Sequence, residues 1–357
     1  GYGQFGTGTT QSETEFKQVT GIPEKVIAIT ANVHTSYALT ESGKVYGWGY
    51  NYYGQLGIGN NNDQTTPVKM QKVSNIIQIS AGDSYITMLD ADGSVWSVGY
   101  NGNGQFGINN DTSYYLPQQM KTEDGNKILR NIQKVSAGKA HTIMLTEDGT
   151  AYATGYNGYG QLGINTVETI NTPTQILNIS GIMDISAGKS HSMILTKGGN
   201  VYATGLNSLG QLGNRTKDYN KEFKLLNTIN DVNYVTAGNT YSMFIKNDGS
   251  VWACGDYYHG LSTMRTSSNS VYPVQVGKQS FSLKENDIFV NIENSKQIEL
   301  NSQFEFNVFK DNVSNSDYKY ESLNNDIAGV DDNGIVTGKN IGVTWIKVTE
   351  NNTNDVQ

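Results

Sequence analysis

Short runs of alternating apolar and polar residues recur along the chain, and they come in sets. In one stretch, from Ile132 to Leu177, an apolar run ends in small residues, Gln133-Lys134-Val135-Ser136-Ala137-Gly138. An alternating run follows, His141-Thr142-Ile143-Met144-Leu145-Thr146, then a tight turn at Glu147-Asp148-Gly149 and a third run, Ala151-Tyr152-Ala153-Thr154-Gly155. A Gly-rich connection through Gly160-Gln161-Leu162-Gly163 leads to a last run opening with Pro173. Period-two alternation predicts strands, and Asp-Gly between two such runs predicts a hairpin. The set therefore reads as four short antiparallel strands.

The set repeats. Gly-Gln-(Leu/Phe)-Gly stands at Gly3–Gly6, Gly54–Gly57, Gly104–Gly107, Gly160–Gly163 and Gly210–Gly213, with spacings of 51, 50, 56 and 50 residues. Small residues close the first run at Ala31, Ala81-Gly82, Ala187-Gly188 and Ala237-Gly238, and hairpin turns recur at Ser42-Gly43, Asp92-Gly93, Gly198-Gly199 and Asp248-Gly249. Tandem four-stranded units of about fifty residues predict an all-β fold, a β-propeller. Pro67, Pro117, Pro173 and Pro273 share one phase, held elsewhere by Phe16 and Phe223. Proline cannot donate to a ladder, so the fourth strand is expected outermost and to open at this phase. The Ala-Gly strand is expected innermost, where units converge. Six outer strands but only five inner triplets are expected, as in a piece of a longer protein whose ring is incomplete or open.

After Gly277 this grammar stops. Alternating runs at Gln297-Ile298-Glu299-Leu300, Phe304–Val308 and Val343–Val348 predict a small β-sandwich over residues 278–357, after a propeller over residues 1–277. Composition agrees with turn-rich β-structure: 40 Gly, 22 Tyr and only 16 % charged residues. A net charge of −8 gives no support to a nucleic-acid partner. Cys254 is the single cysteine, which excludes an intramolecular disulfide and a cysteine-based zinc site. No apolar run has the length of a membrane helix.

The repeated pattern Ala-Gly-x-x-His-Ser/Thr…Asp-Gly-x-Val-Tyr…Gly-x-Asn-x-x-Gly-Gln-Leu-Gly…Pro resembles the repeat of the regulator-of-chromosome-condensation family over residues 1–277. The resemblance implies a propeller used for protein–protein contact; the family's namesake is an exchange factor for the GTPase Ran. The motif His stands only at His141 and His191, being Thr35, Tyr85 and Tyr241 elsewhere, and a sixth Gly-Gln-Leu-Gly has decayed to Gly260-Leu261-Ser262-Thr263. The run Ile327-Ala328-Gly329-Val330…Asn333-Gly334-Ile335-Val336-Thr337-Gly338 resembles bacterial immunoglobulin-like domains. That pairing implies an exported or cell-surface bacterial protein.

Candidate chemistry is sparse. His141 and His191 recur with the scaffold, so both are expected to tie a strand to a neighbouring turn rather than to catalyse or bind metal. The Gly-rich loops precede no helical period and so cradle no phosphate. Asp90-Ala91-Asp92-Gly93 falls at the hairpin phase and lacks the later ligands of a calcium loop. No cofactor is expected. Tyrosine is the informative residue: Tyr50, Tyr100 and Tyr156 recur in phase, whereas Tyr52, Tyr53, Tyr114, Tyr115, Tyr257 and Tyr258 recur poorly. With Tyr159 these fall in the connections from third to fourth strands and are expected to crowd one face. Tyrosine gives large contact area at low rotamer cost. The chain thus reads as a non-enzymatic protein-binding or adhesion module whose partner is another protein or a surface glycan. An inhibitor of a secreted enzyme, a GTPase exchange factor and a polysaccharide-active enzyme are the alternatives.

Overall fold

The computed structural model describes residues 1–256 and 269–276 with their side chains, and the backbone of eight short strands between Asp287 and Glu350. Twenty strands form five four-stranded antiparallel sheets, each in sequence order. They are β1 (Val26–Ala31), β2 (Thr35–Thr40), β3 (Val45–Gly49) and β4 (Gln64–Lys69); then β5 (Ile76–Ala81), β6 (Tyr85–Asp90), β7 (Val95–Gly99) and β8 (Tyr114–Gln119). The third sheet holds β9 (Ile132–Ala137), β10 (His141–Thr146), β11 (Ala151–Gly155) and β12 (Ile170–Gln175). The fourth holds β13 (Ile182–Ala187), β14 (His191–Thr196), β15 (Val201–Gly205) and β16 (Asn220–Leu225), and the fifth β17 (Val232–Ala237), β18 (Tyr241–Lys246), β19 (Val251–Gly255) and β20 (Ser270–Gln275).

Each first strand lies against the first strand of the next sheet, so β1, β5, β9, β13 and β17 are innermost and the fourth strands outermost. This is a propeller, and each sheet is a blade. The second strands of blades 2 to 4 have no solvent face: all six residues of β6, β10 and β14 are buried. Successive side chains point to opposite faces, so they meet opposite neighbours. Met193 and Leu195 of β14 pack with Val232, Val235 and Phe244 of the next blade, while Ile194 packs with Ile143 and Leu145 of the preceding one. A second lacing joins the inner strands. The Ala81, Ala137, Ala187 and Ala237 amides donate to the hydroxyls of Thr30, Ser80, Ser136 and Ser186, one blade back, at 2.9–3.2 Å.

Two expectations are corrected. Residues 1–25 form no strand, and Phe16, expected to open a sixth outer strand, is wholly exposed. An outer strand pairs with the third strand of its own unit, and these residues supply none. The in-phase prolines do not open the outer strands either. Each is fourth of six residues, and at Pro67, Pro117 and Pro173 the ladder breaks register opposite Gly47/Gly49, Ser97/Gly99 and Ala153/Gly155. A bulge leaves a residue unpaired, and a residue without an N–H fits there.

A second unit holds Gln275–Gln357. Its strands are β21 (Asp287–Phe289), β22 (Ile298–Leu300), β23 (Glu305–Phe309), β24 (Tyr318–Ser322), β25 (Ala328–Val330), β26 (Ile335–Gly338), β27 (Gly342–Thr344) and β28 (Ile346–Glu350). They pair as β21-β23-β26-β25, β22-β27 and β24-β28, antiparallel except between β21 and β23.

Candidate functional site: a tyrosine-walled cleft

The two recurrent histidines are structural, but they tie blade to blade, each bonding a serine on the second strand of the next blade rather than a neighbouring turn. Ser192 Oγ donates to the Gln161 carbonyl at 2.7 Å, so it accepts from His141 Nε2 at 2.9 Å; Ser242 does the same for His191, donating to Gln211 O. Both rings therefore carry their proton on Nε2. Both are fully buried, and burial, with the neighbouring His191 charge as a smaller cause for His141, holds His141 down to about 3 and His191 to about 4. They stay neutral at physiological pH. In blade 2 Tyr85 takes this position and donates to His141 O at 2.6 Å.

The connections from third to fourth strands are held by buried polar residues. Asn51, Asn101, Asn157 and Asn207 are fully buried, and each accepts through Oδ1 from the amide five residues on, at 2.9–3.0 Å. Their Nδ2 groups donate back to loop carbonyls, such as Asn60 O and Asn62 O for Asn51. These asparagines stand in the repeated motif and explain it: each fastens its loop as one rigid piece. Gly54 shows how closely these loops pack on the next blade. At a φ of +76° its missing Cβ would sit 2.7 Å from Tyr115 Cα, so only glycine lets the loop reach β8.

On this rigid support the tyrosines divide. Tyr50, Tyr52, Tyr53 and Tyr100 form a continuous ring contact, with centroids 6.3, 5.0 and 5.0 Å apart, which Tyr2 extends at 4.8 Å from Tyr50. His34 packs on Tyr2 and Tyr50. Burial, then the neighbouring phenols, holds the Tyr50 hydroxyl above its ordinary range. Tyr52 and Tyr53 lie in the loop, as expected, but Tyr114 and Tyr115 are the first residues of β8. The four nevertheless meet: with Asn61 and Ser113 they line one cleft of about 330 Å³ where the blade 1 loop abuts blade 2. Tyr52 is 59 % and Tyr115 45 % exposed, while Tyr114 is half-buried against Phe106. Tyr159 stands apart, paired with Tyr156 at 6.3 Å. Tyr257, Tyr258, His259 and the decayed sixth motif lie outside the described residues. Asn61 and Ser113 escaped the sequence reading, because nothing marks a polar loop residue as the neighbour of a tyrosine one unit away.

A second depression, of about 430 Å³, opens where the turns after the inner strands converge. Ala and Gly residues make up most of its lining, with Asn32, Asn239, Asp83, Lys139 and Lys189 among them; Lys139 pairs with Asp83 at 3.8 Å. Among the described residues no group of three His, Cys, Asp or Glu side chains could hold a metal, and no helix is long and apolar enough to cross a membrane. Asp90 closes its own hairpin, accepting from the Asp92 and Ser94 amides and Trp96 Nε1.

Comparison with known proteins agrees with this architecture. The profile of the RCC1-like domain matches residues 1–297, and that of the bacterial Ig-like domain (group 2) matches residues 279–357. The chain is 28 % identical over 183 residues to the ultraviolet-B receptor UVR8 of Arabidopsis thaliana, covering 50 % of this chain and 41 % of that protein. It is 30 % identical over 160 residues to the human probable E3 ubiquitin-protein ligase HERC4, covering 44 % of this chain and 15 % of HERC4. It thus spans less than half the length of either curated relative. Yeast RCC1 (Prp20), solved bound to Kap60, superposes with a TM-score of 0.62 at 24 % identity, over 72 % of this chain and 62 % of that one. With five in-phase blades, a buried Asn and Gln in each of the four described loops and a profile match over most of its length, the chain belongs to the RCC1-like domain family.

Proposed function

We propose that this chain is a non-enzymatic protein-binding module whose partner docks on the face bearing the loops between third and fourth strands. One observation carries the reading. Four tyrosines, Tyr52, Tyr53, Tyr114 and Tyr115, are gathered at one cleft; all but Tyr53, whose position Tyr2 and Tyr159 share, break the repeat's phase, and two of the four are exposed. A residue that serves the scaffold recurs with it, as Asn51 and His141 do; residues that do not recur yet converge are read as serving something else. Tyrosine-rich rims favour protein contact because a large rigid ring with a polar tip loses little entropy on binding. Family membership supports a binding role: among its relatives, yeast RCC1 was solved bound to Kap60, and Prp20p was studied for binding to Gsp1p and histones. The non-catalytic part of the reading rests on His141 and His191 being committed to interblade bonds and on the central mouth offering, among the described residues, a single carboxylate, Asp83, already paired with Lys139.

The match to a bacterial Ig-like domain supports an exported or cell-surface setting; protease accessibility on intact cells tests it. For the binding reading, affinity capture from a culture of the source organism is compared between the chain and its Tyr52→Ala/Tyr53→Ala/Tyr115→Ala variant. Capture lost by a variant with unchanged unfolding supports the site. Capture that persists defeats it.

A further inference from the structure

We propose that the tyrosine cleft takes a proline-rich segment of the partner, extended as a polyproline II helix; this rests on the protein-binding reading and names the chemistry of its docked piece. The walls come first. Tyr52 and Tyr53 meet at 89° with centroids 5.0 Å apart, so their rings form a corner, and Tyr114 and Tyr115 line the same cleft from β8. Aromatic-walled grooves of this kind accept polyproline II chains, whose three-residue turn presents pyrrolidine rings along a stiff rod.

The polar groups point the same way. Among the described residues the Tyr52, Tyr53 and Tyr115 hydroxyls and the Asn61 amide have no hydrogen-bond partner, and the Tyr114 hydroxyl accepts from Asn110 Nδ2 at 3.4 Å. Ser113 Oγ accepts from the Asn101 amide at 3.1 Å, which leaves its own proton to give. The rim is therefore rich in neutral donors. A polyproline II backbone makes no hydrogen bonds to itself and, where proline stands, has no N–H; what it offers is carbonyl oxygen. Uncommitted donors facing an acceptor-only backbone are complementary. Among the described residues no charged side chain lines the cleft, so neither an acidic nor a basic peptide gains an ion pair from them.

Preorganisation is the third argument. Gly54 fixes the blade 1 loop against the Tyr115 backbone, and Asn51 fastens that loop internally. A rigid groove meeting a rod that is already extended loses little conformational entropy from either side.

The test is fluorescence anisotropy on the full chain with a labelled peptide of three Ala-Pro-Pro units. An Ala-Gly-Gly peptide of equal length serves as control and maltohexaose as competitor. The expected result is saturable binding of the Ala-Pro-Pro peptide alone, weakened about tenfold or more by Tyr52→Ala or Tyr53→Ala and less by Asn61→Ala. Equal binding of the Ala-Gly-Gly peptide, indifference to the tyrosine substitutions, absence of saturable binding, or displacement by maltohexaose would each overturn it. If partner capture needs these tyrosines but the Ala-Pro-Pro peptide does not bind, this inference falls and the protein-binding reading stands. If the peptide binds through them while capture is unaffected, the assignment of the cleft survives and the docking face does not.

Discussion

The leading face of blade 1 and the four faces between blades are written with the same residues and meet different fates. Ile29 is 79 % exposed, whereas its equivalents Ile79, Val135, Ile185 and Val235 are 1–8 % exposed. Val26 is likewise exposed where Ile76, Ile132, Ile182 and Val232 are buried. The apolar position in each inner strand is therefore a statement about a neighbouring blade, not about its own sheet. Where the neighbour is present the position is core; on blade 1 it borders a groove of about 620 Å³, over which Val19 and Ile22 lean. Stability in such an array belongs to the interfaces as much as to the units.

Truncating one residue of each kind gives the largest expected difference. Ile185→Ala removes a buried side chain between blades 3 and 4 and is expected to cost about 2–4 kcal/mol. Ile29→Ala, the same change at the same strand position, is expected to stay within about 0.5 kcal/mol. Urea unfolding followed by tryptophan fluorescence reads both, and equal costs would show that blade 1 is covered in solution.

A smaller effect separates the hydroxyls of the second strands. Ser192→Ala leaves His141 Nε2 buried without its acceptor and Gln161 O without its donor, at about 1–3 kcal/mol. Ser36 donates to Gln4 O alone, with no histidine behind it, so Ser36→Ala is expected to cost about 0.5–1.5 kcal/mol. Both values come from the same unfolding experiment.

Acid sharpens the contrast further. His141 and His191 have folded pKa values well below the ordinary 6.5, so between those values the unfolded chain binds protons that the folded chain does not. Stability is then fully present above about 6.5 and falls as the pH drops toward 4 and 3, by about 1–1.5 kcal/mol per histidine at about pH 5.5. The loss is expected in amide exchange of β10, β14 and β18 before that of β2, whose equivalent residue is Thr35. Replacing both histidines with tyrosine, the residue blades 2 and 5 carry there, is expected to flatten the dependence.

What was legible follows from the same logic. Anything obeying the period could be read: the blades, their strand order, the innermost Ala strands and the structural histidines. The partner of His141 could not, because Ser192 stands 51 residues away in the next unit and the repeat shows that a position matters without showing across which gap it bonds. Phe16 was misread for a related reason, since phase alone does not supply the third strand it would pair with. The cleft was half legible. Tyr52, Tyr114 and Tyr115 stood out by breaking phase, but Tyr114 and Tyr115 belong to a strand, and Asn61 and Ser113 become neighbours only when blade 1 meets blade 2.

The smallest expected stability change is the most informative about function. Tyr52 is as exposed as a surface residue, and Tyr52→Ala is expected to move the unfolding midpoint by no more than Ile29→Ala does, within about 0.5 kcal/mol. The two substitutions remove exposed apolar surface from the same blade, so stability does not tell them apart. Partner capture does. It is expected to survive Ile29→Ala, whose face is repeat surface lacking a neighbour, and to fail in Tyr52→Ala, whose ring is held in place by Tyr50 and Tyr53 and belongs to no interblade core. Capture lost in both variants would mean that exposed apolar area, rather than the arrangement of these rings, is what a partner reads.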